Sequence, residues 1–312
     1  MSCYPDFKWY YFDLHSPDGH DIICTIHPKP FNSVFPIAIF DIYIYKDNRV
    51  LLHHFFVLPA SQETFSEDPF RLEYDKNNFI TKTGNEIFVK VQDEKLDLEL
   101  SFKDKLQIKE PPKNKLLNDP NIQAAFDWIV YAPLCEGKGK VNWDGNQLNL
   151  EGRGYHDFNS GSGNLKKALK YWYWGKYFIE DELFIYGEII SKNKITTKIA
   201  LDVTNSGLTI DHSPEVKSDK NKINYESNQK NFAFTLNKSN KIDDIIFFMS
   251  GLSKQFTLFI KIIEVLFHIS GKYKVFSVLK KMIANSRYVR YRRTGKLDDG
   301  REVTCFYEEM FM

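Results

Sequence analysis

One short segment of this chain, EGRGYHDFNSG at residues 151–161, concentrates side chains that could do chemistry. A phenol, an imidazole, a carboxylic acid and a carboxamide lie close together there, and these candidate catalytic residues are Tyr155, His156, Asp157 and Asn159. Side chains of a strand alternate between its two faces. An extended segment therefore places Tyr155, Asp157 and Asn159 on one face, and His156 with Phe158 on the other.

Aromatic side chains follow soon after, in the sequence YWYWG at residues 171–175. The residues expected to line a substrate cavity are Trp128, Phe158, Trp172, Tyr173 and Trp174. Aromatic walls exclude water, and loss of hydration raises the pKa of a carboxyl group, so Asp157 would stay protonated near neutral pH. Protonation of an alkene gives a carbocation, which indole and phenol faces attract. The pattern therefore favours acid chemistry on an apolar, unsaturated molecule.

The same residues also have structural interpretations. A single carboxylate in a strand is usually a hydrogen-bonded structural group, and His156 is equally well explained as a core histidine bonded to the backbone. No metal site is predicted at His156 and Asp157, because neighbouring strand residues diverge and no His-rich segment accompanies them. The chain also lacks a Gly-x-Ser-x-Gly elbow and a dinucleotide-binding fingerprint, which removes the common hydrolase and dehydrogenase interpretations.

Composition and charge limit the class of protein. Hydrophobic residues make up 43% of the 312 residues and charged residues 27%, which is typical of a folded globular protein. The formal net charge of +1 gives no attraction to nucleic acid, and the basic run RYRR at 290–293 is interpreted as a solvated strand face. The cysteines show no zinc-finger spacing, and no signal peptide or membrane-spanning run is recognised. A cytoplasmic location is therefore expected.

Short strands separated by turns dominate the sequence, and helical periodicity is absent from its first third. The run IAIFDIYIY at 37–45 is apolar on both faces, as expected for a strand that is buried on both sides. Asp144-Gly145 is a hairpin signal between two further strands. This pattern of short strands separated by turns predicts an antiparallel barrel or sandwich.

A helical segment is expected near 255–285, because the polar residues within the apolar run 258–269 recur at helical spacing. These polar residues are Lys261, Glu264 and His268. Two interpretations stay open for residues 256–283. One is a helix or helix pair that seals a barrel, and the other is a mobile lid or membrane-surface helix that admits a lipophilic substrate.

The motif residues resemble those of the carotenoid 1,2-hydratase (hydroxyneurosporene synthase) family, which is lipocalin-like and includes fungal Diels–Alderases. The likeness is sharpest over 128–175, in G-x-G-Y-H-D-x-N-x-G and W-Y-W-G. It implies two consecutive lipocalin-like (calycin) antiparallel barrels, no cofactor, and a pocket near the domain junction. The aspartate of the Tyr-His-Asp motif would be the proton donor, which corresponds to Asp157. Phe158 and Ser160 replace the usual second His and Trp, which suits a relative adapted to another substrate.

We therefore expect an all-β protein with domains at 1–165 and 166–312. The expected function is that of a cofactor-independent enzyme of secondary metabolism, which cyclises or hydrates a polyene or isoprenoid at a carbon–carbon double bond by acid assistance. Two alternatives stay open: a pericyclase, similar to a Diels–Alderase, that folds a polyene, and a non-catalytic carrier of a lipophile. The expected partner is an apolar small molecule, and no nucleic acid.

Overall fold

The fold is described by a computed structural model over residues 6–30, 36–47, 49–106, 108, 110–121, 123–219, 222–226, 231–237, 240–246 and 287–311. Nearly all of these residues form antiparallel strands. The helices within these ranges are a 3-10 turn at Ala60–Gln62 and one α-helical turn at Leu165–Ala168 (α1). The prediction of an all-β protein is confirmed, and the helical segment expected near 255–285 lies outside the described residues.

Twelve strands form the first sheet, and they occupy the first half of the chain. They are β1 (Phe7–His15), β2 (His20–Lys29), β3 (Ile37–Lys46), β4 (Arg49–Pro59), β5 (Thr64–Glu67), β6 (Phe70–Asp75), β7 (Asn78–Thr83), β8 (Glu86–Gln92), β9 (Leu96–Asp104), β10 (Lys113–Asp119), β11 (Ala124–Trp143) and β12 (Asn146–Ser162). Their order is β4-β3-β2-β1-β12-β11-β9-β8-β7-β6-β5, with β10 also paired to β11. The first and last strands of this half are therefore neighbours, as in a sheet that curls toward a barrel.

The second sheet has ten strands and repeats this arrangement. They are β13 (Leu169–Ile179), β14 (Glu182–Ser191), β15 (Thr196–Thr204), β16 (Gly207–Asp211), β17 (Glu215–Asp219), β18 (Lys222–Glu226), β19 (Asn231–Leu236), β20 (Asn240–Ile246), β21 (Arg287–Leu297) and β22 (Glu302–Phe311). The order is β16-β15-β14-β13-β22-β21-β19-β18-β17, with β20 paired to β21. Here too the first strand pairs with the last.

The chain passes from one sheet to the other through α1. The side chain of Asn164 accepts a hydrogen bond from the backbone N–H of Lys167 at 3.1 Å and so caps this turn. The domain boundary expected at residues 165 and 166 falls within the same turn. That the two halves are separate domains stays a prediction.

Local turn chemistry sets the pairing of the two longest strands. Asp144 and Gly145 both have positive φ angles, of 44° and 79°, which suit the tight turn of a two-residue hairpin. Trp143 faces Asn146 across this turn, and the ladder of β11 and β12 continues from there. The predicted hairpin is thus confirmed. It pairs the motif residues of β12 with the first half of β11, where Trp128 lies.

Buried apolar side chains form three clusters. One lies within the first sheet and includes Phe12 and Ile42, and another lies within the second sheet and includes Tyr177 and Phe234. The third is shared by both sheets and includes Trp128. Because strand residues alternate, β1, β12, β13 and β22 each contribute one face to their own sheet's interior and the other face to the shared layer. We call this shared layer the inter-sheet layer.

Candidate functional site

Asp157 lies in the inter-sheet layer and is held by hydrogen bonds from three side chains. Trp128 Nε1 and the Tyr155 hydroxyl both donate to Oδ2, each at 2.8 Å. Asn159 Nδ2 donates to the other carboxyl oxygen, Oδ1, at 2.7 Å. Two of the donors, Tyr155 and Asn159, come from β12 itself by strand alternation, as the sequence predicts. The third comes from the neighbouring strand β11, where Trp128 pairs with Asn159.

Burial dominates the electrostatics of Asp157. Asp157 is only 4% exposed, and the loss of hydration raises the pKa of its carboxyl group to about 7. The hydrogen bonds from Trp128, Tyr155 and Asn159 oppose this rise, whereas the negative charge of Asp13 adds to it. A carboxyl pKa near neutrality allows the group both to give up a proton and to take one back.

His156 and Phe158 point away from this group, into the interior of the first sheet. His156 Nδ1–H donates to the backbone carbonyl of Tyr11 at 2.9 Å, and its ring stacks on Phe12 at 4.1 Å. Burial lowers the pKa of His156 to about 4, so the imidazole is neutral. Phe158 packs against Tyr10 at 4.7 Å. The structure thus places these two candidates outside the Asp157 group, and His156 has the contacts of a core histidine.

The aromatic candidates on β13 divide between the two faces of that strand. Trp174 lies in the inter-sheet layer, where its ring centre is 5.6 Å from that of Tyr155. Trp172 lies farther along the same face, against Phe126 at 5.1 Å. Tyr173 points into the second sheet and stacks on a tyrosine of β22 at 5.6 Å. Trp174 therefore joins the Asp157 group, Trp172 lies beside it, and Tyr173 does not belong to it.

A buried ion pair links the two sheets beside the Asp157 group. Lys176 Nζ donates to both carboxyl oxygens of Asp13, and neither side chain is exposed at all. The lysine nitrogen also lies 4.5 Å from the ring centre of Tyr155 and 3.2 Å from His15 Nε2. Burial lowers the pKa of Lys176, although the negative charges of Asp13 and Asp157 oppose this. The ammonium group and His15 hold the pKa of Asp13 below its ordinary value despite its burial.

Sequence reasoning missed this ion pair. Lys176 continues the alternation of Trp172 and Trp174 on β13, so it shares their face. Asp13 interrupts the otherwise apolar end of an aromatic strand, FKWYYFDL at 7–14. A charged residue on a buried strand face is a usable signal, because such a charge requires a partner. The partner's identity depends on how the two sheets pack.

A second buried ion pair corrects the interpretation of the basic run on β21 as a solvated strand face. Arg290 and Arg293 are only 4% and 6% exposed. Arg290 Nε donates to Glu308 at 2.9 Å, and one of its terminal nitrogens donates to the hydroxyl of Tyr45, also at 2.9 Å. Arg293 Nε donates to the backbone carbonyl of Asn237 at 2.9 Å. These two arginines are therefore buried and hydrogen-bonded within the protein, and they do not form a solvated face.

Among the residues that the structure describes, no group of three or more His, Cys, Asp or Glu side chains is placed to hold a metal ion. Within the same residues, no helix combines the length and the apolar character that crossing a bilayer requires.

Comparison with solved structures supports the fold. The chain is similar to an AttH-type protein from Nitrosomonas europaea, with 13% identity, a TM-score of 0.55, and 98% of this chain and 92% of that one covered. It is also similar to CghA solved with Sch210972, with 7% identity, a TM-score of 0.61, and coverage of 98% and 88%. Kievitone hydratase from Nectria haematococca matches with 8% identity, a TM-score of 0.51, and coverage of 99% and 89%. The expected lipocalin-like fold is confirmed.

Sequence comparison places the chain in a family. No curated protein matches it. The model of the family described as "Carotenoid hydratase CrtC" matches residues 74–249, which is more than half of the chain and includes the whole Asp157 group on β11 and β12. The resemblance noted from the motif residues is thus confirmed. The chain belongs to the carotenoid hydratase CrtC family, and the prediction of an enzyme is thereby confirmed.

Proposed function

We propose that Asp157 is the general acid of a cofactor-independent enzyme that hydrates or cyclises an unsaturated isoprenoid or polyene-type molecule. The observation that carries the proposal is the state of this carboxyl group, which is buried, has a pKa of about 7, and accepts hydrogen bonds from three donors. General acids work best when their pKa lies near the working pH.

The hydrogen bonds indicate which oxygen carries the acid proton. Oδ2 accepts from both Trp128 and Tyr155, which uses both of its lone pairs. Within the part of the chain that the structure describes, Oδ1 accepts from Asn159 alone, so it has a lone pair left for the proton. In the neutral acid the proton therefore sits on Oδ1, from which it can move to the substrate.

The chemical step begins when this proton moves to one carbon of the double bond. The π electron pair forms the new C–H bond, the other alkene carbon becomes a cation, and Asp157 becomes a carboxylate. In hydration, a water oxygen attacks the cation, and one water proton returns to Asp157. In cyclisation, a second double bond attacks the cation, and a proton lost from carbon returns to the carboxylate. The acid is regenerated in both cases, and no electrons are gained or lost.

The surrounding groups favour the charged stage of this reaction. Hydrogen bonds to an ionised carboxylate are stronger than those to a neutral acid, so Trp128, Tyr155 and Asn159 stabilise the carboxylate that proton transfer creates. Aromatic faces of the inter-sheet layer attract the carbocation. Both effects grow as charge develops, which is the requirement for lowering a reaction barrier.

The experiment compares Asp157→Asn with the wild type on a panel of isoprenoid and polyene substrates, with products identified by mass spectrometry. Acid catalysis contributes about 10²–10⁴-fold, so turnover should fall by that factor while substrate binding is retained. Asp127→Asn is the matched control, because Asp127 lies on the adjacent strand and pairs with Lys113 at 3.1 Å, outside the Asp157 group. It should keep its activity.

The same experiment separates the alternatives. If Asp157→Asn keeps most of its turnover, the acid mechanism is wrong and the pericyclase alternative, in which the protein only folds the substrate, is favoured. The mass of the product distinguishes the two acid reactions, because hydration adds one water and cyclisation leaves the mass unchanged. The interpretation of residues 256–283 as a lid or membrane-surface helix stays a prediction.

A further inference from the structure

Two polar atoms beside Asp157 lack a hydrogen-bond partner within the part of the chain that the structure describes. They are the hydroxyl of Tyr11 and Nε1 of Trp174, and their residues are 6% and 5% exposed. Nearly all buried polar side-chain atoms in native proteins are hydrogen-bonded, so each exception needs an explanation. Binding of a ligand group at these two atoms is such an explanation.

The position of this pair ties it to the proposed acid. Tyr11 lies directly opposite Asp157 in the ladder of β1 and β12, so both side chains leave the sheet on the same face. The rings of Tyr11 and Trp174 meet edge-on, with their centres 5.5 Å apart. Trp174 in turn contacts Tyr155, which donates to Asp157. Tyr11 and Trp174 therefore lie next to the group that would protonate the substrate.

Both atoms are hydrogen-bond donors. An indole N–H can only donate. Burial, together with the negative charges of Glu308 and Asp13, raises the pKa of the Tyr11 hydroxyl well above its ordinary value, so this group keeps its proton. The ligand group must therefore be an acceptor, and an oxygen with two lone pairs can accept from both donors.

The nearby charges favour a neutral acceptor. Glu308 is paired with Arg290, and Asp13 is paired with Lys176, so the charges of these two acidic groups are already balanced. The third acidic group near Tyr11 is Asp157, whose carboxyl group holds its proton up to about pH 7. An anionic ligand would add an unbalanced charge to a buried layer, which is strongly unfavourable. A ketone or aldehyde oxygen meets the requirement without adding charge.

We propose that Tyr11 and Trp174 bind a carbonyl oxygen of the substrate, and hence that the substrate is an unsaturated carbonyl compound and not a pure hydrocarbon. This inference rests on the proposed function, because it assigns the substrate class for the same site. The carbonyl anchors one end of the molecule at Tyr11, which leaves a neighbouring double bond beside Asp157.

The test uses a matched pair of probes: geranylacetone, an isoprenoid ketone, and the hydrocarbon in which a methylene replaces its carbonyl. Binding is measured by quenching of tryptophan fluorescence and by calorimetry. The wild type should bind the ketone about tenfold more tightly, since each hydrogen bond to a neutral acceptor contributes roughly a factor of three to ten. Tyr11→Phe should lower ketone affinity about five- to tenfold and leave hydrocarbon affinity within about twofold.

Tyr173→Phe is the matched control, because Tyr173 points into the second sheet and stacks there on Tyr307. It should leave the ratio of the two affinities unchanged. The proposal is overturned if the wild type binds the ketone no more tightly than the hydrocarbon, which includes the case of no measurable binding of either. An unchanged ratio in Tyr11→Phe overturns it as well. Asp157→Asn should retain the preference for the ketone, so failure of the acid mechanism and failure of this inference give different results.

A second measurement needs no ligand. If the Tyr11 hydroxyl serves the ligand and not the fold, Tyr11→Phe should leave the melting temperature of the free protein unchanged or raise it by about 2 °C, because a buried unpaired hydroxyl is removed. A fall of several degrees would show that the hydroxyl has a structural partner and would overturn the proposal.

Discussion

Replacement of Asp157 by Asn should make the stability of the protein less dependent on pH. Burial raises the pKa of this carboxyl from 3.8 to about 7. The native state holds the proton more tightly than the unfolded chain does, so the protonated carboxyl contributes to the free energy of unfolding. This contribution is fully present below about pH 4 and is lost as the pH rises through about 7. A difference of about three pKa units corresponds to roughly 4 kcal/mol of unfolding free energy at 1.36 kcal/mol per unit.

The asparagine variant keeps the shape of the site without this ionisation. Its side-chain oxygen can accept from Trp128 and Tyr155, and its NH₂ group can donate to Asn159 once that amide is turned over. The unfolding free energy of Asp157→Asn relative to the wild type should therefore rise by up to roughly 4 kcal/mol between pH 4 and pH 8. The variant gains relative stability at high pH, because only the wild type must then bury a carboxylate.

The assay is urea unfolding of both proteins, followed by tryptophan fluorescence at half-unit steps from pH 4.5 to 8.5. Tyr155→Phe provides a second arm, since its hydroxyl favours the ionised form of Asp157. Removing it should move the midpoint of the wild-type pH dependence upward. A difference between wild type and Asp157→Asn that stays constant over this pH range would refute the reasoning, since the carboxyl would then titrate in the ordinary acidic range.

Other substitutions test the neighbouring structure. Lys176→Met should cost about 3–5 kcal/mol of unfolding free energy, because it leaves Asp13 charged and buried without its partner. Adding Asp13→Asn should restore much of this loss, and a double-mutant cycle that finds independent effects would contradict the pairing. His156→Gln should lower the free energy of unfolding, because the hydrogen bond to the Tyr11 carbonyl is strained or lost. It should leave the apparent pKa in the pH profile of kcat/KM unchanged, because the acid is Asp157. A shift of that apparent pKa would return His156 to the catalytic group. Gly161→Ala should lower the melting temperature by several degrees, because a Cβ there would lie 2.1 Å from a backbone oxygen of β11, and an unchanged melting temperature would contradict this close approach.

Much of the site's local geometry followed from strand alternation. The shared face of Tyr155, Asp157 and Asn159, the opposite face of His156, and the turn at Asp144 were all predicted because they depend on residues close in sequence. The role of Trp128 as a donor was not predicted, although its presence near the site was. Its contact with Asp157 depends on the register of two paired strands, which no local pattern reveals.

The sequence by itself determined which side chains share a strand face and that the chain would form antiparallel sheets, because both properties have a period of two residues. Only the tertiary structure decided which face is turned toward the other sheet. That choice brings Lys176 to Asp13, which lies 163 positions away, puts Tyr11 beside Trp174, and moves Tyr173 out of the site. The physical reason is that burial of one face against a distant sheet sets hydration, and hydration sets the charge state of Asp157.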